Sequence, residues 1–124
     1  MSRTVLVVDD EPPVRKFLTR WLEGWGYAVK QAGSAAEALE VMFAEPASIM
    51  VCDIKMPGGH DGLWPAERVR AQWPHTAIIM ATGDLEIRTV LKSRALGAVD
   101  YVTKPFGRAL LLQALQRAKA ARNE

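Results

Sequence analysis

Short apolar runs punctuate this chain at regular intervals, and between them the apolar residues switch to a helical period. Val5-Leu6-Val7-Val8, Ser48-Ile49-Met50-Val51-Cys52, Ala77-Ile78-Ile79-Met80-Ala81 and Ala98-Val99-Asp100-Tyr101-Val102 are each the length of one strand. Three of them lack polar alternation, as strands buried on both faces do. A weaker strand, Tyr27-Ala28-Val29-Lys30-Gln31, follows Gly26. In the first intervening segment Val14, Phe17, Leu18, Trp21, Leu22 and Trp25 recur at three- and four-residue steps, one face of a helix. Pro12 and Pro13 suit its start, and Gly24 and Gly26 its end. Ser34 with Glu37 three residues later marks a second helix start, and that helix stops before Pro46. A third helix follows Asp61 and ends before Pro74, a fourth spans about 85–96, and a last one runs from about Pro105 to Arg122. Strand and helix alternate five times, which predicts a parallel sheet with helices on both faces.

The 124 residues lead us to expect a single domain over 1–124, large enough for one core without disulfide or metal staples. Apolar residues at 49% and charged residues at 24% are those of an ordinary globular chain, which argues against disorder and coiled coil. No apolar run approaches the roughly 20 residues of a membrane span. The apolar stretch before Asp9 is too short for a signal peptide. A lone cysteine, Cys52, excludes an internal disulfide and suits a reducing cytoplasm, where we expect the protein. The net charge of +2 conceals an asymmetry. Residues 1–61 hold six basic and nine acidic groups, whereas residues 88–122 hold eight basic groups and one acid, Asp100. The basic groups alternate with apolar residues at helical spacing, so solvated helix faces are expected rather than a nucleic-acid patch.

In open parallel sheets, chemistry gathers at the carboxyl ends of the strands. The first strand ends in Asp9-Asp10-Glu11, the third in Asp53, and the fourth in Thr82-Gly83; the fifth is followed by Thr103-Lys104-Pro105. Each feature alone has an ordinary reading, such as a helix cap or a turn. Together Asp9, Asp10 and Asp53 bring three carboxylates, Thr82 a hydroxyl and Lys104 an ammonium to one sheet edge. An acidic cluster there repels itself unless a cation balances it. Carboxylates without His or Cys suit Mg²⁺ rather than zinc. Thr and Lys beside them suit stabilisation of a phosphoryl group, and a carboxylate can itself be the acceptor.

Val5-Leu6-Val7-Val8-Asp9-Asp10-Glu11, Asp53-Ile54-Lys55-Met56-Pro57, Ala81-Thr82-Gly83 and Gly97-Ala98-Val99-Asp100-Tyr101-Val102-Thr103-Lys104-Pro105-Phe106 together resemble a two-component response-regulator receiver domain. The resemblance spans nearly the whole chain. It implies an α/β, flavodoxin-like (βα)5 sandwich, with a five-stranded parallel sheet in the order 2-1-3-4-5. It implies that Asp53 accepts a phosphoryl group from a histidine kinase or phosphotransfer protein. Asp9 and Asp10 would hold Mg²⁺, joined by the Asp53 carboxylate and the Lys55 backbone carbonyl. Thr82 and Lys104 would engage the phosphoryl oxygens, Tyr101 would be the aromatic switch, and the Lys104–Pro105 peptide would be cis. New charge on Asp53 would then bias the surface of the fourth helix, fifth strand and fifth helix. A downstream effector domain or protein would read that surface; no membrane and no direct nucleic-acid contact is expected.

The chain departs from the family pattern after Met56-Pro57, where Gly58-Gly59-His60-Asp61-Gly62 makes the loop one residue longer. His60 reads as a solvated loop residue. Lys55 and Asp84 flank the expected phosphorylation site and the switch threonine, where an ion pair would slow dephosphorylation. In the last helix Phe106, Leu111, Leu112, Leu115 and Ala118 are expected in the core. Leu110 and Ala114 are expected outward, beside Arg88, Lys92 and Arg108, as a homodimer or effector surface. The alternatives are a degenerate receiver used only for docking, a phosphatase working through an aspartyl-phosphate, and a flavin or nucleotide carrier. A phosphatase of the haloacid-dehalogenase type carries its nucleophile in an Asp-x-Asp motif on the first strand, which Asp9-Asp10-Glu11-Pro12 does not match. A nucleotide carrier needs a phosphate-cradling loop in place of two aspartates.

Overall fold

A computed structural model describes residues 3–53, 63–82, 100–103 and 107–121. Strands β1 (Thr4–Val8), β2 (Ala28–Ala32), β3 (Ile49–Asp53), β4 (Ala77–Thr82) and β5 (Asp100–Thr103) form one sheet in the order β2-β1-β3-β4-β5. Every neighbouring pair is parallel. Helices α1 (Pro12–Gly24), α2 (Ala35–Ala44) and α3 (Leu63–Gln72) and a C-terminal helix (Arg108–Ala121) accompany it. The parallel pairing is that expected of the alternating pattern, and the order is that of the flavodoxin-like fold which the resemblance implies. The helix expected over 85–96 lies outside the described residues.

The unbroken apolar runs are explained by what covers the sheet. Side chains alternate between faces along a strand. Val5 and Val7 of β1 join Ile49, Val51, Ile79 and Ala81 in one core layer with Leu18, Leu22, Leu111 and Leu115. Leu6 and Val8 join Met50, Cys52, Ile78 and Met80 in the other, with Ala38, Met42 and Val69. Both faces of β1, β3 and β4 are therefore buried, and a polar residue on either would have to find a partner, whereas edge strand β2 is partly exposed. Cys52 sits wholly within the second layer, a core thiol.

Local signals set the element ends. Pro12 and Pro13 occupy the first turn of α1, where a missing N–H costs nothing. Gly26 adopts φ +94°, a conformation open to glycine, and lets the chain reverse into β2. Ser34 caps α2 by accepting from the Glu37 amide at 3.2 Å. The Glu37 carboxylate accepts from the Gly33 amide at 3.3 Å, one residue earlier than a regular capping box would place it.

Helix faces differ from expectation in two places. Phe17 is 57% exposed, because α1 buries the narrower stripe of Leu18 and Leu22, with Val14, Trp21 and Trp25 partly covered. On the C-terminal helix the assignments of Leu112 and Ala114 are reversed. Ala114 is fully buried, while Leu112 is 37% and Leu110 47% exposed. The buried residues Leu111, Ala114, Leu115 and Ala118 form one i, i+3, i+4, i+7 stripe. At about 100° per residue, positions 110 and 112 fall on its two flanks. Ala114 lies inside it, and its small side chain lets the helix approach the sheet closely.

Candidate functional site

The strand register brings the carboxyl ends to one level. Val8 pairs with Cys52, so Asp9 and Asp53 follow at the same height on adjacent strands. Asp53 pairs with Ala81, and Thr82 is the next residue and the last of β4. Thr82 in turn pairs with Thr103, the final residue of β5, and Tyr101 pairs with Met80. The opposite edge is stitched shut by neutral hydrogen bonds. The Thr76 hydroxyl donates to the Ala47 carbonyl at 2.8 Å and the Ser48 hydroxyl to the Thr4 carbonyl at 3.1 Å.

Asp9 and Asp53 are buried, at 2% and 6% exposure, and Asp10 is half-buried. The Asp9 amide continues the ladder by donating to the Ala32 carbonyl at 3.1 Å. Its Oδ1 accepts from the Glu11 amide at 2.9 Å, a local turn that folds the acidic segment back before α1 begins. Carboxylate oxygens of Asp9, Asp10 and Asp53 all lie within 4.8 Å of one another. Like charges this close repel strongly where water is excluded. The donor set is all hard oxygen, with Asp9 and Asp53 buried and Asp10 half-buried. That chemistry fits a small divalent cation such as Mg²⁺, which takes one or two carboxylates and completes its shell with water or phosphate oxygens.

Of the residues expected at the site, Asp9, Asp10 and Asp53 are brought together, and Thr82 and Tyr101 occupy the expected strand positions. Lys55, Asp84, Arg88, Lys92, Lys104 and Pro105 lie outside the described residues, as do the loop over 54–62 and Phe106. Arg108 opens the C-terminal helix at an exposed position and Leu110 is exposed as expected, whereas Ala114 belongs to the core.

One participant has no signal in the motifs. Arg15, one turn into α1, donates through Nη1 to the backbone carbonyl of Asp9. A spacing of six residues between an acid and an arginine suggests nothing in a sequence, because the acceptor is a main-chain atom.

Comparison with known proteins places these features in context. Residues 5–116 match the family model of the response regulator receiver domain. A putative NtrX-like response regulator of Rickettsia bellii is 33% identical over 115 residues, which is 92% of this chain and 24% of the relative. The C4-dicarboxylate transport transcriptional regulatory protein DctD of Rhizobium meliloti is 35% identical over 119 residues, 96% of this chain and 26% of the relative. The chain thus spans about a quarter of the length of the curated relatives it matches. Among solved structures, a CheY-like receiver domain protein of Methanospirillum hungatei superposes with a TM-score of 0.93 at 27% identity, covering 99% of this chain and 98% of that one. The chemotaxis protein CheY4 of Vibrio cholerae gives 0.88 at 30% identity, covering 95% and 99%.

Proposed function

Because this chain belongs to the response regulator receiver domain family, a family of phospho-acceptor signalling switches, we propose that residues 1–124 work as one receiver unit with Asp53 as the phosphoryl acceptor. The observation that carries this reading is the convergence of Asp9, Asp10 and Asp53 within 4.8 Å at the carboxyl edge of the sheet. In this reading a carboxylate oxygen of Asp53 bonds to phosphorus as the phosphorus–nitrogen bond of a partner's phosphohistidine breaks. The leaving imidazole takes up a proton. Asp9, Asp10, Asp53 and the Lys55 carbonyl would hold Mg²⁺, which when bound offsets charge on the transferring phosphoryl oxygens. Asp9 is positioned by its hydrogen bond to the Glu11 amide and by its place in the ladder, and buried Asp53 is shielded from bulk water. Thr82 and Lys104 are assigned to the phosphoryl oxygens and Tyr101 to the switch, with Lys55 and Asp84 as modulators of phosphoryl lifetime.

The partners in this reading are a histidine kinase or phosphotransfer protein and a downstream effector. No helix among the described residues is long and apolar enough to cross a membrane, and we assign the protein to the cytoplasm. Arg88, Lys92, Arg108 and Leu110 are assigned to a homodimer or effector face; the exposed Leu110 supports this, and buried Ala114 has no part in it.

Beryllofluoride, a phosphoryl mimic, tests the central assignment. It is expected to bind the native chain in a Mg²⁺-dependent way and to leave Asp53→Asn unchanged, as read by ¹⁹F NMR. Equal binding to both chains would overturn the assignment of Asp53. A docking-only receiver would bind in neither case.

A further inference from the structure

The carbonyl that Arg15 holds lies in the peptide joining Asp9 to Asp10. A peptide unit is planar, so fixing its oxygen fixes where the Asp10 Cα begins. The other side of Asp9 is held by its amide on the Ala32 carbonyl. Asp10 is the least buried of the three carboxylates, so the surrounding core constrains it least. The guanidinium reaches this carbonyl by passing over Gly33. A Cβ placed on Gly33 would lie 3.1 Å from Arg15 Nη1, 3.6 Å from its Cζ and 3.6 Å from Glu37 Oε2. The first separation is tighter than ordinary contact. The turn below cannot easily yield, since Glu37 Oε2 accepts from the Gly33 amide and Ser34 caps the following helix. Gly33 is not among the described glycines with positive φ. Its backbone therefore does not demand glycine, but a Cβ there requires the guanidinium tip to shift by a few tenths of an ångström.

We infer that Arg15 is a positioning residue for the cation site, and that position 33 is glycine so that the guanidinium can cross to the Asp9–Asp10 peptide. This rests on the reading of Asp9, Asp10 and Asp53 as the Mg²⁺ ligands. The role has a sign that separates it from a bulk charge effect. A guanidinium on the Asp9 carbonyl repels a cation held by the Asp9 and Asp10 carboxylates, so its removal on electrostatic grounds alone tightens Mg²⁺ binding. Loss of the support behind a ligand instead weakens binding, typically by tenfold or more.

Calorimetric titration of Mg²⁺ alone into the full chain distinguishes these outcomes. Arg15→Ala and Gly33→Ala are each expected to bind about tenfold more weakly than the native chain. Arg15→Lys, which retains a charge and a donor, recovers part of the loss. Gly33→Ala adds nothing in the Arg15→Ala background, because the two changes remove the same contact. Native or tighter affinity in Arg15→Ala overturns the inference, as does a further loss when Gly33→Ala is added to it. Thermal melts report whether each variant folds. If Arg15→Ala does not fold, Gly33→Ala decides, and native affinity there is fatal to the inference. A native chain that takes up no Mg²⁺ would instead remove the metal reading beneath it, irrespective of the Arg15 variants.

Discussion

At Asp10 the cost of assembling the cluster can be measured. Two unit charges 4 Å apart interact by about 4 kcal/mol at an effective dielectric constant of 20, and partial exposure reduces that. Replacing Asp10 by Asn keeps the shape of the side chain and removes one charge. The metal-free Asp10→Asn chain is therefore expected to be more stable than the native one by about 1 kcal/mol at low salt, a rise of about 4 °C in Tm for a domain of this length. Added Mg²⁺ should then raise the Tm of the native chain and have little effect on the variant, since a ligand stabilises only a chain that binds it. Melts with and without Mg²⁺ check both halves; a native chain indifferent to Mg²⁺ would refute the expectation. The aspartates themselves are legible in the sequence, because acidic residues directly after apolar runs stand out. Arg15 and Gly33 are not legible, since one addresses a backbone carbonyl and the other supplies only absent atoms.

Among the elements, α2 and the C-terminal helix illustrate two kinds of information. The start of α2 is written locally. Ser34 satisfies an amide that the helix leaves without a partner, and Ser34→Ala is expected to cost about 1 kcal/mol in denaturant unfolding. Because the same turn underlies Gly33, that variant should also weaken Mg²⁺ binding slightly. The C-terminal helix is different. Its leucines at 110, 111, 112 and 115 admit more than one apolar stripe, and periodicity alone does not choose between them. Packing on β4 and β5 selects 111, 114, 115 and 118. Ala114→Leu would thus force extra volume into a filled layer and destabilise by about 1–3 kcal/mol, while Leu112→Ser changes stability by about 0.5 kcal/mol or less. Equal effects of the two substitutions would contradict the observed face. Phe17 follows the same logic on α1, apolar in a helical pattern yet left on the flank of the buried stripe.

Across the molecule, one sheet edge is closed by neutral hydrogen bonds and the other gathers three acids, so stability and chemistry occupy opposite ends of the same strands. Parallel strands connected by helices make this division possible, because every strand delivers its carboxyl end to the same edge. The alternation of continuous apolar runs with helical patterns was enough to specify the parallel sheet, its double covering and the acids at its strand ends. These depend on local period and chain order, both of which are carried in the letters. The register that levels Asp9 with Asp53, the choice of helix face around Ala114, and the link from Arg15 across Gly33 to the Asp9 carbonyl were decided only in three dimensions. Each depends on atoms distant in the chain or on the backbone itself, and neither leaves a pattern in the order of side chains.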